Sequence, residues 1–269
     1  MQAMIDKNVN AKRRQVLGAI SAALAAALLL PCSVLAAIWN KTAFDAEKLA
    51  EAQTNSGISN EIDSKDIVIT APDRAENGAI VQVEIATNIV GADAIAIFVE
   101  KNPTPLIANI MLTNGALPKL VTRIKMAETS QIKVVVGAAV QYFTASKSVQ
   151  VLENGCGGGG NGTEKFESSM KLRAKLKDSV TEVKAIIIHP MHTGRGKDDF
   201  DKLIAAHFIQ LIDVTLNAKP VLQIQCGTGI AKNPYLTAFV NGAKVGDKLT
   251  LTWHDNLGNT ATGETTVVA

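Results

Sequence analysis

Cys156 has the setting in this sequence that best suits covalent chemistry. It lies in the run Asn154-Gly155-Cys156-Gly157-Gly158-Gly159-Gly160, directly after a strand-like segment that ends at Leu152. Glycine lacks a Cβ, so the run is flexible and offers no side chains to bury the sulfur. Four extended residues would let the sulfur stand roughly 14 Å from the body of the protein. This setting suits a thiol presented to another protein, but composition alone slightly favours an ordinary glycine-rich linker with an incidental cysteine.

The four histidines are the next candidates, because imidazole is a common metal ligand. His189 and His192 are separated by two residues, and His207 and His254 follow later in the chain. The first pair falls in a segment that contains Pro and Gly, not on one helix face, and no companion cluster of Cys or Asp stands at ligand spacing. We expect ordinary loop and surface histidines and no metal site.

Cys226 stands in the segment Gln225-Cys226-Gly227-Thr228-Gly229. We predict a structural thiol at the end of a strand; a resolving cysteine for Cys156, or a disulfide between the two, is a less favoured alternative. The Gly-Thr-Gly run lacks the strand-to-helix context of a phosphate loop. Ser, His and Asp are present without the spacing of a nucleophile elbow, so we predict no catalytic residue.

The N-terminal segment has the pattern of a cleaved export signal. Lys12-Arg13-Arg14-Gln15-Val16-Leu17 precedes an apolar run that reaches Leu30, and Val34-Leu35-Ala36-Ala37 supplies small residues for cleavage. The paired arginines are similar to those of twin-arginine signals. Residues 1–37 are therefore predicted to be a twin-arginine-type signal peptide, and the mature protein to be periplasmic without membrane association. An uncleaved anchor is the less favoured alternative, since the run is short and rich in Ala.

Removal of that signal changes the charge balance. Lys7, Lys12, Arg13 and Arg14 leave together with Asp6, so 23 basic and 24 acidic residues remain of the 27 and 25 in the whole chain. The mature chain is then close to neutral. We find no linear stripe of Lys and Arg with interleaved aromatic residues, and therefore expect no nucleic-acid partner.

The chain after the signal divides at the glycine-rich run. We predict a sandwich domain over 38–152, an arm and linker carrying Cys156 over 153–169, and a second sandwich domain over 170–269. One short amphipathic helix is predicted from Lys41 to Ala52, because Phe44 and Leu49 stand with Ala residues at helical spacing. Elsewhere strands dominate without intervening helices, which favours an all-β fold of two antiparallel sandwiches.

Fourteen segments have the composition or the alternation of strands, and Asn-Gly, Asn-Pro and Gly-Asn pairs punctuate them. In Leu249, Leu251 and Trp253 the alternation indicates a buried face. The predicted strands are Asp66 to Thr70, Ile80 to Thr87, Ala94 to Val99, Leu106 to Leu112, Val121 to Met126, Ile132 to Val140, Ser148 to Leu152, Leu172 to Leu176, Glu182 to His189, His207 to Leu216, Val221 to Gln225, Leu236 to Val240, Lys248 to Trp253 and Thr262 to Val268.

An ordered set of short motifs resembles a known family pair. In the first half the motifs resemble the Y subunit of the Sox sulfur-oxidation carrier, and in the second half its Z subunit. The Y-like motifs are Glu76-Asn77-Gly78-Ala79, Ile97-Phe98-Val99-Glu100-Lys101-Asn102-Pro103, Gly115-Ala116-Leu117-Pro118, Thr122-Arg123-Ile124-Lys125-Met126 and the glycine-flanked cysteine. The Z-like motifs are Leu172-Arg173-Ala174-Lys175, His189-Pro190-Met191, Thr193-Gly194-Arg195, Ala206-His207-Phe208-Ile209, Lys232-Asn233-Pro234 and Gly242-Ala243-Lys244-Val245-Gly246-Asp247.

The resemblance implies two immunoglobulin-like sandwiches that pair within the chain and act as a carrier, not an enzyme. Thiosulfate-derived sulfur would be held on Cys156 as an S-thiosulfonate or persulfide, on the arm made by Gly155 and Gly157 to Gly160, with no other cofactor. The implied partners are a SoxAX-like c-type cytochrome that loads thiosulfate, a SoxB-like hydrolase that releases sulfate, and a SoxCD-like sulfane dehydrogenase.

Two features depart from, or add to, that pattern. The family's Y subunit ends just past its cysteine, whereas here the arm continues into the Z-like half and is tethered at both ends. The nearest charged residues to Cys156 are Glu153 and Glu164, and neither acidifies a thiol. We therefore expect a partner to supply the activation of Cys156.

Other functions remain open on the sequence alone. A thiol-dependent oxidoreductase or sulfurtransferase would use Cys156 for multiple turnovers, and a binding module of tandem sandwiches would not use it at all. A fused carrier that serves a quinoprotein dehydrogenase is a further alternative.

Overall fold

A computed structural model describes residues 39–154 and 169–269 of the chain. The predicted signal peptide lies outside these residues, as does most of the predicted arm. The residues from Trp39 onward form one unit with a shared core.

Two short helices open this unit, α1 over Lys41–Asp45 and α2 over Leu49–Asn55. The predicted single helix is therefore wrong: Ala46 leaves the helical conformation with φ −62° and ψ 134°. The side chain of Asn40 caps α1 by accepting a hydrogen bond from the backbone N–H of Ala43. The break lets both helices bury small apolar residues, Ala43 in α1 and Ala52 in α2, in one cluster.

Strands make up most of the rest. All fourteen predicted strands are present, with ends that shift by up to seven residues, the largest shift being at the start of β9, Gln141 in place of Ser148. The two missed strands, β1 and β3, are two and four residues long and lack apolar alternation. The strands are β1 Ile62–Asp63, β2 Ile67–Thr70, β3 Arg74–Asn77, β4 Val81–Thr87, β5 Ala92–Val99, β6 Leu106–Leu112, β7 Ala116–Ile124, β8 Ser130–Ala138, β9 Gln141–Glu153, β10 Met170–Lys177, β11 Val180–Ile187, β12 Ile209–Leu216, β13 Lys219–Cys226, β14 Tyr235–Asn241, β15 Lys248–Asp255 and β16 Thr260–Val268.

Each half contributes strands to two sheets, as an immunoglobulin-like sandwich does. In the first half, β1-β9-β8-β5-β6 form one set and β2-β4-β7 the other. The second half also has two sets of strands, β13-β12-β15-β16 and β10-β11-β14. Strand β16 pairs with β10 as well. The all-β fold of two sandwiches is confirmed.

The halves join strand to strand. Strand β6 pairs antiparallel with β13, with Ile110 opposite Ile224. Strand β7 pairs antiparallel with β14, with Thr122 opposite Leu236. Both sheets therefore continue from one half into the other, and the expected pairing of the halves is made by backbone hydrogen bonds as well as by side chains.

The core runs through this junction. Ile97 and Ile124 from the first half are fully buried in the same cluster as Ile187 and Trp253 from the second. Leu249, Leu251 and Trp253 all face inward, as their alternation predicts. Since burying one such side chain contributes about 1.5–3 kcal/mol, a core shared across the junction opposes separation of the halves. Neither α1 nor α2, the helices of residues 39–154 and 169–269, is long and apolar enough to cross a bilayer.

Candidate functional site

The predicted attachment residue and its arm lie outside the described residues. Gly155, Cys156 and Gly157 to Gly160 all fall between Asn154, where the first described part ends, and Ser169, where the second begins. What the structure provides is the two points where the arm is anchored. We call these the first anchor, at Glu153, and the second anchor, at Ser169.

The first anchor is held from both sides. Strand β9 pairs parallel with β3 as far as Asn77 opposite Glu153, and the N–H of Gly78 donates to the carbonyl of Glu153 at 2.9 Å. On the other side, the hydroxyl of Thr129 accepts a hydrogen bond from the N–H of Val151 at 3.0 Å. Beta structure therefore continues to within three residues of Cys156.

Because the anchored strand extends to Glu153, the reach of the thiol is shorter than the sequence predicts. The reach predicted from the sequence starts at Leu152, but the chain is fixed through Glu153. Three extended residues carry the sulfur-bearing residue roughly 10 Å from the last anchored one, not 14 Å.

The second anchor lies at one end of the sheet that contains β4, β7, β14, β11 and β10. Gly78, which binds the first anchor, lies at the same end of this sheet. The N–H of Ile188 donates to the carbonyl of Ser169 at 2.8 Å. Strand registers place Gln82 of β4 and Lys171 of β10 on one row across this sheet. Four strand spacings place β10 about 19 Å from β4, and Gly78, three residues before β4, binds the first anchor; the fifteen residue steps from Asn154 to Ser169 can extend to roughly 50 Å. The double tether is therefore long enough not to be taut.

Lys125 links the two halves next to the first anchor. It is 7% exposed, and its Nζ donates to the carbonyl oxygens of Met191 and Thr228, the latter at 3.0 Å. Its own N–H donates to the carbonyl of Gly229 at 2.6 Å. The next residue, Met126, donates its N–H to the carbonyl of Gly78, the same glycine that holds Glu153. A continuous set of hydrogen bonds thus connects the first anchor to the second half.

A small polar groove lies along this junction. Asn102 supports its first-half wall: its Nδ2 donates to the carbonyl of Lys125 and its Oδ1 accepts from the N–H of Ala127, both at 2.8 Å. The hydroxyls of Thr104 and Thr228 lie 3.3 Å apart across the groove. The Asn-Pro and Thr-Gly-Arg motifs of the sequence meet at this groove, which is lined by Asn102, Pro103, Thr104, Thr193, Arg195, Thr228 and Gly229.

The Gly-Thr-Gly run that the sequence could not assign permits the close approach of the halves. A Cβ on Gly227 would lie 2.7 Å from the carbonyl oxygen of Leu106 and 2.8 Å from the ring of Phe44. A Cβ on Gly229 would lie 2.4 Å from the side chain of Ile107. The N–H of Gly227 donates to the carbonyl of Ile107 at 2.8 Å. The glycines are needed for packing at this junction.

Cys226 is buried at the same junction. It is 1% exposed, lies at the end of β13, and burial raises the pKa of its thiol to about 12. A thiol in this state carries almost no thiolate at neutral pH. The structural interpretation of Cys226 is therefore favoured over a resolving cysteine.

The histidine prediction is wrong for two of the four residues. His189 is fully buried, and its Nε2 lies 3.4 Å from Oδ2 of Asp255. Nε2 of His207 donates a hydrogen bond to the same carboxylate oxygen at 2.8 Å. The two imidazole rings pack edge to face with centroids 4.6 Å apart. His254 is exposed, in agreement with the prediction.

His189, His207 and Asp255 form a hydrogen-bonded group that we call the triad, and its hydrogen bonds indicate a structural role. Burial lowers the pKa of His189 to about 4 and outweighs the opposing effect of Asp255, so the ring is neutral at pH 7. Nδ1 of His189 accepts the N–H of Met191 at 3.2 Å, which leaves the proton of the neutral ring on Nε2. A metal ligand must present a lone pair, so this arrangement does not offer Nε2 to an ion. The pKa of Asp255 is low because hydrogen bonds from Asn259 and His207 outweigh the effect of burial.

The triad positions the loop between β11 and β12. His189 and His207 stand at the two ends of that loop, and the turn after β15 reinforces the attachment: Asn256 Oδ1 accepts the N–H of Phe208 at 2.7 Å. The loop also supplies Met191 and Arg195 to the junction. Asp255 was not identified from the sequence because it is 48 residues from His207, and its only local signal was the adjacent His254.

Comparisons with known protein families agree with the sequence motifs in their order and position along the chain. The family model of the sulfur oxidation protein SoxY matches residues 53–156, and that of the sulphur oxidation protein SoxZ matches residues 170–266. The structure of the sulfur carrier protein SoxY from Chlorobium limicola is 38% identical, with a TM-score of 0.37, and covers 42% of this chain and 99% of its own.

A beta-glycosidase structure from Bacteroides vulgatus also aligns, at 12% identity and a TM-score of 0.25, over 81% of this chain and 26% of its own. That likeness is too low to support any argument. No curated protein sequence matches. The SoxY match ends at Cys156 and the SoxZ match begins at the first residue of β10, so the two matches flank the arm. The chain therefore belongs to the SoxY and SoxZ sulfur-oxidation protein families, with a SoxY domain followed by a SoxZ domain in a single polypeptide.

Proposed function

We propose that this protein is a periplasmic covalent carrier in thiosulfate and sulfur oxidation, on which Cys156 holds sulfur while partner enzymes process it. The observation that carries the proposal is that the SoxY family match ends at Cys156, three residues beyond the hydrogen-bonded first anchor. A thiol placed there is attached to a fixed base by a short run rich in glycine, which suits delivery into another protein's active site.

The proposed cycle has two balanced steps. In loading, the Cys156 thiol and thiosulfate form an S–S bond with loss of the thiol proton and two electrons, which pass to a SoxAX-like c-type cytochrome. In release, a SoxB-like hydrolase adds water to the terminal sulfonate. Sulfate leaves, a persulfide anion remains on Cys156, and two protons are released. A SoxCD-like enzyme would oxidise the remaining sulfane sulfur further.

The carrier itself would supply the thiol and its presentation. Attack by a cysteine requires the thiolate, whose fraction depends on the surroundings of the sulfur. Neither Glu153 nor Glu164, the closest charged residues in sequence, favours a thiolate. We propose that partner enzymes complete the activation, and that the arm holds the sulfur cargo with no other cofactor.

Fusion of the two domains gives the carrier a fixed composition. In a single chain the pairing of β6 with β13 and β7 with β14 is intramolecular, so it does not depend on protein concentration. The cost is that Cys156 enters a partner as part of a loop. The excess of arm length over the separation of the anchors provides the slack that such entry requires.

Purified partners and protein distinguish a carrier from an enzyme. The mature protein is incubated with thiosulfate, alone and with the loading cytochrome, and adducts are measured by intact mass spectrometry. A carrier gains at most one adduct per chain and only with the cytochrome, whereas an enzyme turns over repeatedly alone. Cys156→Ser should abolish the adduct, and Cys226→Ala, the matched control at the buried thiol, should retain it. An adduct on Cys156→Ser would overturn the proposal.

A further inference from the structure

Strand β10 carries a row of cations that the composition of the chain does not reveal. Its residues alternate, so that Ala174 is buried while Lys171, Arg173, Lys175 and Lys177 are all exposed on the opposite side. Alternate residues of a strand lie about 7 Å apart, so the four side chains form a regular row along β10.

Neighbouring strands extend this charge across the sheet. Arg173 lies directly opposite Lys184 of β11, and directly opposite residues of an antiparallel pair share a face. Farther along, Nζ of Lys119 lies 5.0 Å from the ring centroid of Phe239, and the guanidinium of Arg123 lies 4.8 Å from that of Tyr235. We call this set the basic face; it consists of Lys119, Arg123, Lys171, Arg173, Lys175, Lys177 and Lys184.

Acidic residues neutralise only part of the basic face. Glu84 pairs with Lys119 at 3.0 Å. Glu182 pairs with Lys177 at 2.9 Å and with Lys184 at 3.0 Å.

The other three cations of β10 are exposed, and Glu182 lies directly opposite Lys175 in the register of β10 with β11. Lys171, Arg173 and Lys175 form no ion pair with any residue in 39–154 or 169–269. The predicted mature chain is nearly neutral, so this charge reflects placement and not composition.

The basic face adjoins both anchors of the arm. Ser169 directly precedes β10, so the row of cations begins two residues beyond the second anchor. The first anchor is held by Gly78, three residues before β4, at the same end of the same sheet. Any protein that encloses Cys156 must therefore approach this end of the sheet.

We propose that the basic face is the docking surface for an acidic patch on the partner enzymes that load and strip Cys156. The inference rests on the proposed carrier function and adds to it the surface that recognises the partners. Complementary charge steers two proteins into encounter and orients them without requiring tight binding. A carrier that visits several enzymes in turn needs this combination, because it must also leave.

The chemistry of the face favours a protein over a nucleic acid. Bases bind single-stranded nucleic-acid sites largely by stacking on aromatic rings. Here Arg123 and Lys119 lie over the rings of Tyr235 and Phe239, which reduces the ring surface open to bases. The sheet surface between the cations, with Ile186 37% exposed, offers instead a mixed apolar and cationic surface of the kind that protein interfaces use.

The test neutralises the three unpaired cations together. The triple variant Lys171→Gln, Arg173→Gln, Lys175→Gln is compared with a control, Lys65→Gln, Lys202→Gln, Lys219→Gln, in which three exposed lysines outside this face lose the same charge. The rate at which the loading cytochrome modifies Cys156 is measured under single-turnover conditions over a series of salt concentrations. We expect the test variant to react about tenfold more slowly at low salt, and the difference to vanish at high salt.

Further arms separate the possible outcomes. Equal rates for the test and control variants at low salt would overturn the docking surface. The triple variant could instead lose binding to phosphatidylglycerol vesicles or to a single-stranded DNA oligonucleotide while its reaction with the cytochrome is unchanged. That result would also overturn the docking surface and would identify another ligand. Loading of Cys156 by a small polysulfide, without any enzyme, should be the same in all chains. If even the unmodified chain takes up no sulfur from polysulfide or cytochrome, the carrier function itself has failed.

Discussion

Nζ of Lys125 in the SoxY domain lies 3.0 Å from the carbonyl oxygen of Thr228 in the SoxZ domain, and Lys125 is 7% exposed. A long charged side chain is rarely so deeply buried unless it is bound on several sides. This contact joins the two domains next to the first anchor, so the stability of the junction and the attachment of Glu153 are linked.

Replacement of Lys125 should weaken the whole unit. Lys125→Met keeps the length of the side chain but leaves the carbonyls of Met191 and Thr228 without this donor. Each such buried group costs about 1–3 kcal/mol. Urea unfolding should therefore show a lower midpoint, while Lys219→Met, at an exposed position, should leave the midpoint unchanged. An unchanged midpoint in Lys125→Met would contradict a structural role.

Gly227→Ala should disturb the junction through a different contact. The added Cβ would meet the carbonyl oxygen of Leu106 at 2.7 Å, and backbone cannot move as a side chain end can. We expect a loss of roughly 1–3 kcal/mol in the free energy of unfolding, as for other overpacked sites. Gly242→Ala is the control: its Cβ meets nothing within 4 Å, and only its φ of +78° is unfavourable. If the two variants are equally stable, the proposed close approach is not important.

Stability should fall as the pH is lowered through the range set by His189. Its pKa is about 4 in the folded protein and near 6.5 in the unfolded chain, so the unfolded chain binds more protons between these values. Stability from the neutral ring is present above pH 6.5 and is lost towards pH 4, by at most about 3 kcal/mol.

Thermal melts from pH 7.5 to pH 4.5 measure this loss in the wild type and in two variants. His189→Gln should be less stable than the wild type at neutral pH, and its melting temperature should depend less steeply on pH. His254→Gln, at an exposed position, should retain the wild-type slope. A wild-type slope in His189→Gln would assign the pH dependence to other groups.

Only one of the two cysteines of the predicted mature chain should react with a thiol reagent in the folded protein. Burial and a pKa of about 12 protect Cys226, whereas Cys156 lies beyond the anchored strand. Reaction with a chromogenic disulfide at pH 8 should release one equivalent quickly and the second only after denaturation. In Cys156→Ser the fast phase should disappear; a fast phase that persists there would show that Cys226 is accessible.

The sequence predicted local structure well and long-range relationships poorly. Strand β15 was identified because Leu249, Leu251 and Trp253 alternate, a pattern that records burial on one face. The joining of β7 to β14 left no such record, because pairing across domains depends on backbone groups that every residue has. The cations of β10 alternate in the sequence, but the sequence does not show which side of the strand faces the core. The exposed basic row was therefore not predicted.

Among the candidate residues, those defined by distant partners were misjudged. His189 reads as a loop residue beside a proline, and only the fold brings Asp255 to it. Gly227 and Gly229 had no local turn to explain them, because the need for glycine comes from strand β6 of the other domain. Cys156 was predicted from its immediate neighbours, and for that residue the local sequence carries the relevant chemistry.

Peptide mass spectrometry of the protein isolated from thiosulfate-oxidising cells tests the proposed function most directly. We expect a fraction of the peptide that contains Cys156 to carry added sulfur, as a persulfide or an S-thiosulfonate, and the peptide that contains Cys226 to carry none. Treatment with a reductant should remove the added mass. Unmodified Cys156 in cells that are actively oxidising thiosulfate, or sulfur bound at another residue, would contradict the assignment of Cys156 as the carrier thiol.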